Sequence, residues 1–249
     1  MPSTPFAFQS ARSRGGRRFE PVREQNLEGE ALRVCAALPH AANGLLVLRE
    51  VVGPFGIPDL VAVVGHSSTV AARRKLPVPP LLNEVDAAFV GATSFRAPRR
   101  VETIARRLGW AVPTLTRRLP DLLRSGALLE TRPGVVVRPE ALCPVGRLYA
   151  VETKVSDWKR AVRQGRQYQV WCDAYVVVME PLGSQPASDL ARAAAEDGAG
   201  AIVGGRMLSR PRVRARPEWR RLWGSEHIVA ALGHGSEPLG SPVSLKSRE

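Results

Sequence analysis

The segment Leu148-Tyr149-Ala150-Val151-Glu152-Thr153-Lys154-Val155 is apolar except for a threonine, a glutamate and a lysine. Its β-branched and aromatic residues predict a strand. Side chains alternate across a strand, so Glu152 and Lys154 share one face, roughly 6.5 to 7 Å apart. Val151, Thr153 and Val155 point to the other face. An acid and a base placed together in an apolar strand indicate a candidate functional site.

A second carboxylate opens another apolar strand, because Pro58-Asp59 precedes the aliphatic run Leu60–Val64. Two carboxylates can hold a hard cation such as Mg²⁺, and an ammonium beside it can stabilise charge developing on a phosphate. Only four of the 36 basic residues are lysines, so a lysine at position 154 is an uncommon choice in this chain. A surface ion pair worth about 0 to 1 kcal/mol remains the alternative.

Strands and helices alternate on both sides of these segments, which predicts an α/β domain with a mixed sheet. A helix over 25–38 leads into strands at 45–52 and 60–64, joined by a Gly/Pro turn as in a hairpin. After the strand at 148–155, the pattern predicts a helix over 156–171, a strand at 174–179, a helix over 187–196 and a strand at 199–203. An arginine-rich ribbon over 206–216 and a helix over 218–232 follow. The ribbon is either a phosphate track or an exposed edge strand guarded by charge.

These segments resemble the PD-(D/E)xK nuclease superfamily, which has the restriction-endonuclease-like fold. The likeness runs over Gly56–Val63, Val151–Trp158, the Q-x-x-x-Y pattern at 164–168, and Cys172–Val178. It implies an α/β protein whose mixed sheet is flanked by helices. It also implies hydrolysis of nucleic-acid phosphodiesters with Mg²⁺ or Mn²⁺ as cofactor.

The resemblance also implies roles for individual residues. Asp59 and Glu152 would be the metal ligands, and Lys154 would orient or activate the attacking water. Gln164 and Tyr168 would contact substrate or the catalytic strand, with a packed tyrosine beside a solvated glutamine as the alternative. A further acidic residue of the family would correspond to Glu30 or Glu50, and both of these alternatives stay open.

A basic, mostly helical segment over 81–140 interrupts the α/β pattern. Helices over 81–89, 99–108 and 114–124 precede short strands at 127–129 and 135–137, an order similar to that of winged helix-turn-helix modules. Residues 93–139 hold ten arginines and three acidic residues, so they carry 10 − 3 = +7 of the total +13. That likeness implies DNA contacts by Thr114, Thr116, Arg117, Arg118 and Arg132. Pro120 is expected to kink the last helix, and a protein-interaction module is the alternative.

Composition narrows the class of protein. With 249 residues, 44% of them hydrophobic, the chain is neither a disordered tail nor a disulfide-stapled miniprotein. A net charge of +13 and a pI of about 11.0 favour a polyanionic partner. Cys35, Cys143 and Cys172 follow no disulfide or zinc pattern, and no apolar run reaches the roughly 20 residues of a membrane helix. A cytoplasmic, nucleoid-associated protein is therefore expected.

Together these patterns predict a disordered basic arm over 1–20, a nuclease-like domain over 21–76 and 144–232, the insert over 81–140, and a flexible tail over 233–249. The predicted function is a metal-dependent endonuclease that the insert positions on double-stranded DNA. A catalytically silent DNA-binding or regulatory protein is the main alternative. RNA cleavage is a third, although a groove-reading helix suits duplex DNA better than A-form RNA. A homodimer would provide the two active sites that double-strand scission requires.

Overall fold

The chain forms two compact units in the computed structural model, which describes residues 6–10, 27–65 and 67–233. Within these ranges, the first unit holds 6–10, 27–65 and 146–215, and the second holds 67–145 and 216–233. Most of the predicted arm, and the predicted tail after residue 233, lie outside the described residues. None of the described helices combines the length and the apolar character that crossing a membrane requires.

The regular elements follow one another along the chain and are numbered in that order. They are β1 Phe6–Ser10, α1 Glu28–Ala36, β2 Leu45–Arg49, β3 Leu60–Val64, α2 Ser67–Lys75, α3 Glu84–Ala92, β4 Arg99–Arg100, α4 Val101–Leu108, α5 Val112–Arg124, β5 Leu129–Arg132, β6 Val135–Val137, β7 Arg147–Lys154, α6 Trp158–Tyr168, β8 Ala174–Met179, α7 Ser184–Asp197, β9 Gly200–Val203, β10 Arg206–Ser209 and α8 Glu218–Ala231.

The first unit is built on a mixed sheet of seven strands in the order β1-β2-β3-β7-β8-β9-β10. Strands β2, β3 and β7 are antiparallel neighbours, whereas β7, β8 and β9 run parallel. Residues of β3 and β8 are buried throughout, as expected for central strands covered on both faces. The prediction of an α/β protein with a mixed, helix-flanked sheet is confirmed.

The two faces of β7 meet different helices. Tyr149 and Val151 pack in the same apolar cluster as Ala31 and Cys35 of α1. Alternation therefore turns Glu152 and Lys154 toward the opposite face, where α6 packs on β7 and β8. Both side chains are buried, with Glu152 at 0% and Lys154 at 6% exposure. The sheet thus buries the acid and the base beneath a helix.

Two expectations for the edges of this sheet hold only in part. Residues 6–10, predicted within a disordered arm, form β1 and pair in parallel with β2. The arginine ribbon predicted over 206–216 is a strand only as far as Ser209, and residues 210–216 are irregular. Pro211 has no N–H to donate to a ladder, which limits how far the strand extends.

The second unit packs five helices with a three-stranded sheet in the order β4-β6-β5. Its core includes Phe89, Ile104, Leu115 and Leu222, one from each of four helices, and Leu128, which directly precedes β5. Helix α3 begins at the N-cap Asn83, whose Oδ1 accepts the N–H groups of Val85 and Asp86. The second unit therefore has an apolar core of its own, between its helices and its small sheet.

Helices α2 and α8 belong to this second unit, whereas the sequence-based boundaries assigned them to the nuclease-like domain. Arg73 of α2 and Glu226 of α8 are both 0% exposed and form an ion pair, with Arg73 Nη2 2.6 Å from Glu226 Oε2. The same Oε2 accepts the N–H of Leu81 at 2.9 Å. Gly91 of α3 meets α8 so closely that a Cβ there would lie 2.5 Å from Trp219 Cα.

Helix α5 runs from Val112 to Arg124 without a break at Pro120. Leu115 and Leu122, on either side of the proline, are both buried in the core of the second unit. The helix therefore continues through the proline, because tertiary packing of its apolar residues offsets the backbone hydrogen bond that the proline lacks.

Candidate active site

Asp59 is held against β7 immediately before β3 begins. The register pairs Leu60 with Val151, which brings Asp59 beside Glu152. Its Oδ2 accepts hydrogen bonds from the backbone N–H of Thr153 at 2.7 Å and from the Thr153 hydroxyl at 2.8 Å. Thr153 lies between the acid and the base in sequence, and its role in positioning Asp59 was not predicted.

Glu152 is surrounded by one cation and one hydroxyl. Its Oε1 lies 2.8 Å from Lys154 Nζ, and its Oε2 accepts a hydrogen bond of 2.8 Å from the Tyr168 hydroxyl. Lys154 Nζ also donates to the carbonyl of Thr153 at 2.8 Å. Four of the residues selected from the sequence, Asp59, Glu152, Lys154 and Tyr168, therefore meet in one place.

The electrostatics of this cluster centre on Glu152. Burial, and after it the nearby charge of Asp59, raises the pKa of its carboxyl from 4.5 to about 7. The ammonium of Lys154 and the Tyr168 hydroxyl act in the opposite direction. Two neighbouring carboxylates, one of them fully buried, create a local excess of negative charge that a cation would relieve.

The loop that carries Asp59 is anchored on the end of α6. Tyr168 Oη lies 3.2 Å from the carbonyl of Ile57, and Trp171 Nε1 donates to the carbonyl of Phe55 at 3.2 Å. Gly56 has a φ of +77°, and a Cβ there would lie 2.8 Å from the Tyr168 ring. The side chain of Tyr168 thus joins the Asp59 loop to Glu152, which explains its position better than a purely packing role.

No side-chain hydrogen bond joins the three other candidates to this cluster in the described part of the chain. Gln164 has a buried Oε1 with no hydrogen-bond donor among the described residues. Glu30 lies on α1, against the opposite face of the sheet, and its Oε1 is near Gly205. Glu50 is exposed, and only its backbone N–H contacts the site, donating to the carbonyl of Asp59. Neither glutamate adds a carboxylate to the cluster in this structure.

The two carboxylates of the cluster are oxygen donors of the kind that Mg²⁺ and Mn²⁺ accept. No group of three or more His, Cys, Asp or Glu side chains with metal-binding geometry occurs among the described residues. Magnesium is commonly bound through one or two carboxylates, with water and substrate phosphates completing the octahedron. Asp59 and Glu152 would be these carboxylates, and the crowding of their charges is consistent with such an ion.

The residues predicted to contact DNA lie on α5 and β5 of the second unit. Thr116, Arg117 and Arg132 are exposed, and Thr114 is partly buried. Arg117 Nε donates to the carbonyl of Pro113 at 3.3 Å, within its own helix. These side chains are accessible to a partner on the surface of the second unit.

Arg118 differs from the prediction because it is engaged within the protein. Its guanidinium makes two hydrogen bonds to Asp86 of α3, of 2.8 and 2.6 Å. This pair raises the pKa of Arg118, chiefly through the hydrogen bond to Asp86. Asp86 stands at the start of α3, and the pair joins two helices of the second unit, a contact that sequence spacing does not reveal.

Comparison with protein-family models, with curated proteins and with solved structures finds no match for this chain. The function is therefore argued from the geometry and chemistry of the residues themselves.

Proposed function

We propose that the first unit is a metal-dependent phosphodiesterase of the PD-(D/E)xK type and that the protein cleaves duplex DNA. The observation that carries the proposal is the complete burial of Glu152 between the amine of Lys154 and the second carboxylate of Asp59. Holding a buried carboxylate beside another is unfavourable unless cations compensate both. A divalent ion, together with Lys154, accounts for this arrangement.

Each residue of the cluster has a role in the proposed reaction. Asp59 and Glu152 would hold Mg²⁺, and the bound ion would supply Lewis-acid polarisation of the scissile phosphodiester. The ammonium of Lys154 stabilises negative charge on the phosphate as water forms the new P–O bond and the old P–O bond breaks. Thr153 and Tyr168 are positioning residues, since their hydrogen bonds hold the two carboxylates rather than contacting the phosphate.

The order of elements supports the same family. Helix α1, the antiparallel pair β2–β3 ending near Asp59, strand β7, helix α6 and the parallel strand β8 follow one another as in the restriction-endonuclease-like core. We interpret α3, α4, α5 and the β4-β6-β5 sheet as an inserted winged helix-turn-helix. In this interpretation α5 is the helix that enters the major groove, with Arg132 in the wing.

Surface charge supports a nucleic-acid substrate. Arg117 and Arg132 are exposed on the second unit, and Arg206, Arg210, Arg212 and Arg214 are exposed on the first. Arg214 also donates to the carbonyl of Glu196, which fixes the irregular segment after β10 to the end of α7. Guanidinium groups of this kind bind phosphate regardless of base sequence.

A plasmid-nicking assay with Mg²⁺ and with EDTA tests the proposal. We expect Asp59→Asn and Lys154→Met each to lower the rate of nicking by on the order of 100-fold or more, because the first removes a ligand of the ion and the second removes the ammonium that stabilises transition-state charge. Binding of the same variants to a DNA duplex in EDTA, measured by fluorescence anisotropy, should stay within about twofold of wild type. Duplex RNA of the same length serves as a parallel substrate.

Glu196→Gln is the matched control, because it makes the same kind of change at an exposed carboxylate of the first unit. It should nick at the wild-type rate. Nicking that persists in EDTA, or that Asp59→Asn leaves intact, would contradict the proposed site. Tight duplex binding with no metal-dependent nicking would instead support the silent DNA-binding alternative.

A further inference from the structure

A cavity of about 370 Å³ lies in the second unit, where α3 ends. Its walls are the last residues of α3 and those that follow it, the end of α4, Arg138 after β6, and the start of α8. None of the residues proposed for phosphodiester cleavage takes part in it. Its volume lies in the range of small-molecule sites.

The charge of the cavity is cationic. Arg99, Arg107 and Arg138 line it together with a single acid, Glu218, so the lining carries 3 − 1 = +2. Glu218 is already engaged by Arg138 in an ion pair. Arg99 Nη1 donates to the carbonyl of Ala92, and neither Arg99 nor Arg107 has an acidic partner in the described part of the chain. Two positive charges therefore remain uncompensated at this site.

Among the arginines that line the cavity, Arg138 is the buried one. Only 4% of its surface is exposed, and its two Nη groups are engaged by Glu218 and by the carbonyl of Leu142. Its buried Nε has no hydrogen-bond acceptor among the described residues. The protein itself therefore engages both Nη groups of Arg138, and Arg99 and Arg107 are the lining arginines that can meet an anion in the cavity.

Two aromatic rings also line the cavity. Phe95 lies 4.9 Å from the guanidinium of Arg96 and 5.9 Å from that of Arg138. Trp219 packs edge-on against Trp110, with ring centroids 6.5 Å apart. Both Phe95 and Trp219 line the cavity and are partly exposed. Such rings stack on flat ligand rings, including nucleobases.

We propose that this cavity binds a nucleoside phosphate monoester, either as a free nucleotide or as the phosphorylated end of a nucleic-acid strand. The arginines hold the phosphate through charge-assisted hydrogen bonds, and Phe95 and Trp219 contact the base. The inference goes beyond the proposed cleavage of internal phosphodiesters, because the cavity belongs to the other unit and selects a terminal phosphate.

Calorimetric titration of the full-length chain with AMP, adenosine and inorganic phosphate tests the proposal. The Asp59→Asn background with EDTA prevents cleavage of any strand that is added. We expect AMP to bind at least about tenfold more tightly than either adenosine or phosphate, because it meets both the arginines and the rings. Equal affinities for AMP and adenosine would overturn the proposal.

Neighbouring arginines provide matched variants. Arg107 lines the cavity and Arg106, also exposed on α4, does not. Arg107→Glu should weaken AMP binding by about tenfold or more, and Arg106→Glu by less than about twofold. An equal loss in both variants would show a general charge effect and would overturn the assignment to this cavity.

Short oligonucleotides with and without a 5′-phosphate identify the source of the ligand. A phosphorylated oligonucleotide that binds more tightly than AMP would assign the cavity to strand ends, whereas tighter binding of AMP would assign it to free nucleotides. In either case Arg107→Glu must remove the advantage of the phosphate. If removal of the 5′-phosphate changes the affinity of neither the oligonucleotide nor the nucleotide, the proposal is contradicted.

Discussion

At the scale of single residues, Glu152 has the most unusual environment in the candidate site. Its carboxylate is buried between Lys154 and Tyr168, and the pKa of its carboxyl is raised from 4.5 to about 7 by burial and by Asp59. The folded protein therefore keeps a proton on Glu152 at pH values where the unfolded chain has released it. Folding and proton binding are coupled at this residue.

This coupling predicts how stability depends on pH. The pKa of Glu152 is higher in the folded protein than in the unfolded chain. Its contribution to the free energy of unfolding is therefore complete below about pH 4.5 and is lost as the pH rises through about 7. In EDTA, we expect the free energy of unfolding of the wild type to fall relative to Glu152→Gln by up to about 3 kcal/mol from about pH 5 to about pH 8. Urea unfolding of both proteins measures the difference, and parallel pH profiles would contradict it.

Arg117 and Arg118 are adjacent, yet their surroundings predict different defects. Arg117 is exposed and bonds only within its helix, whereas Arg118 is paired with Asp86. Arg117→Ala should weaken duplex binding and reduce the slope of log affinity against log salt by about one unit. Arg118→Ala should instead lower the free energy of unfolding by about 1 kcal/mol, a modest figure because its side chain is 40% exposed. Anisotropy at several salt concentrations and urea unfolding separate the two; an unchanged slope in Arg117→Ala would exclude that residue from the interface.

At the scale of elements, α6 organises the candidate site. It places Tyr168 under Glu152 and the Asp59 loop, and it lies close to β8 because residue 165 is a glycine. A Cβ at Gly165 would lie 2.2 Å from the ring of Tyr175, so no larger residue fits without movement. The close approach of this helix to the sheet is therefore a requirement of the fold.

Two glycine substitutions test that requirement. Gly165→Ala should destabilise the protein by about 1 to 3 kcal/mol, because the added methyl group overpacks the contact with Tyr175. Gly29→Ala is the matched control in α1, since a Cβ there meets nothing within 4 Å. It should stabilise by about 0.5 to 1 kcal/mol through helix propensity. Thermal unfolding of both variants provides the comparison, and equal effects would contradict the packing argument.

At the scale of the whole molecule, the chain passes from the first unit to the second and back, and then enters the second again with α8. The buried pair of Arg73 and Glu226 joins α2 to that returning helix. A buried ion pair contributes little more to stability than well-packed apolar residues would, but removal of one partner leaves the other charge buried and uncompensated. Completion of the second unit therefore depends on a segment 153 residues further along the chain.

Substitution at this pair should act on one unit only. Glu226→Gln should lower the stability of the second unit by about 3 to 5 kcal/mol, whereas the double change to Arg73→Met and Glu226→Met should cost less. Hydrogen–deuterium exchange should show lost protection in 67–145 and 216–233 with little change in the first unit. Equal loss of protection in both units, or a double variant less stable than the single one, would contradict this account.

The sequence by itself determined the features that depend on neighbouring residues. Strand periodicity put Glu152 and Lys154 on one face, and apolar spacing predicted most helices and strands. Only the tertiary structure decided that Thr153 holds Asp59, 94 residues away, that Asp86 binds Arg118, and that α8 completes the second unit. The reason is physical: side-chain periodicity is a property of a few consecutive peptide units, whereas these contacts depend on how distant segments pack.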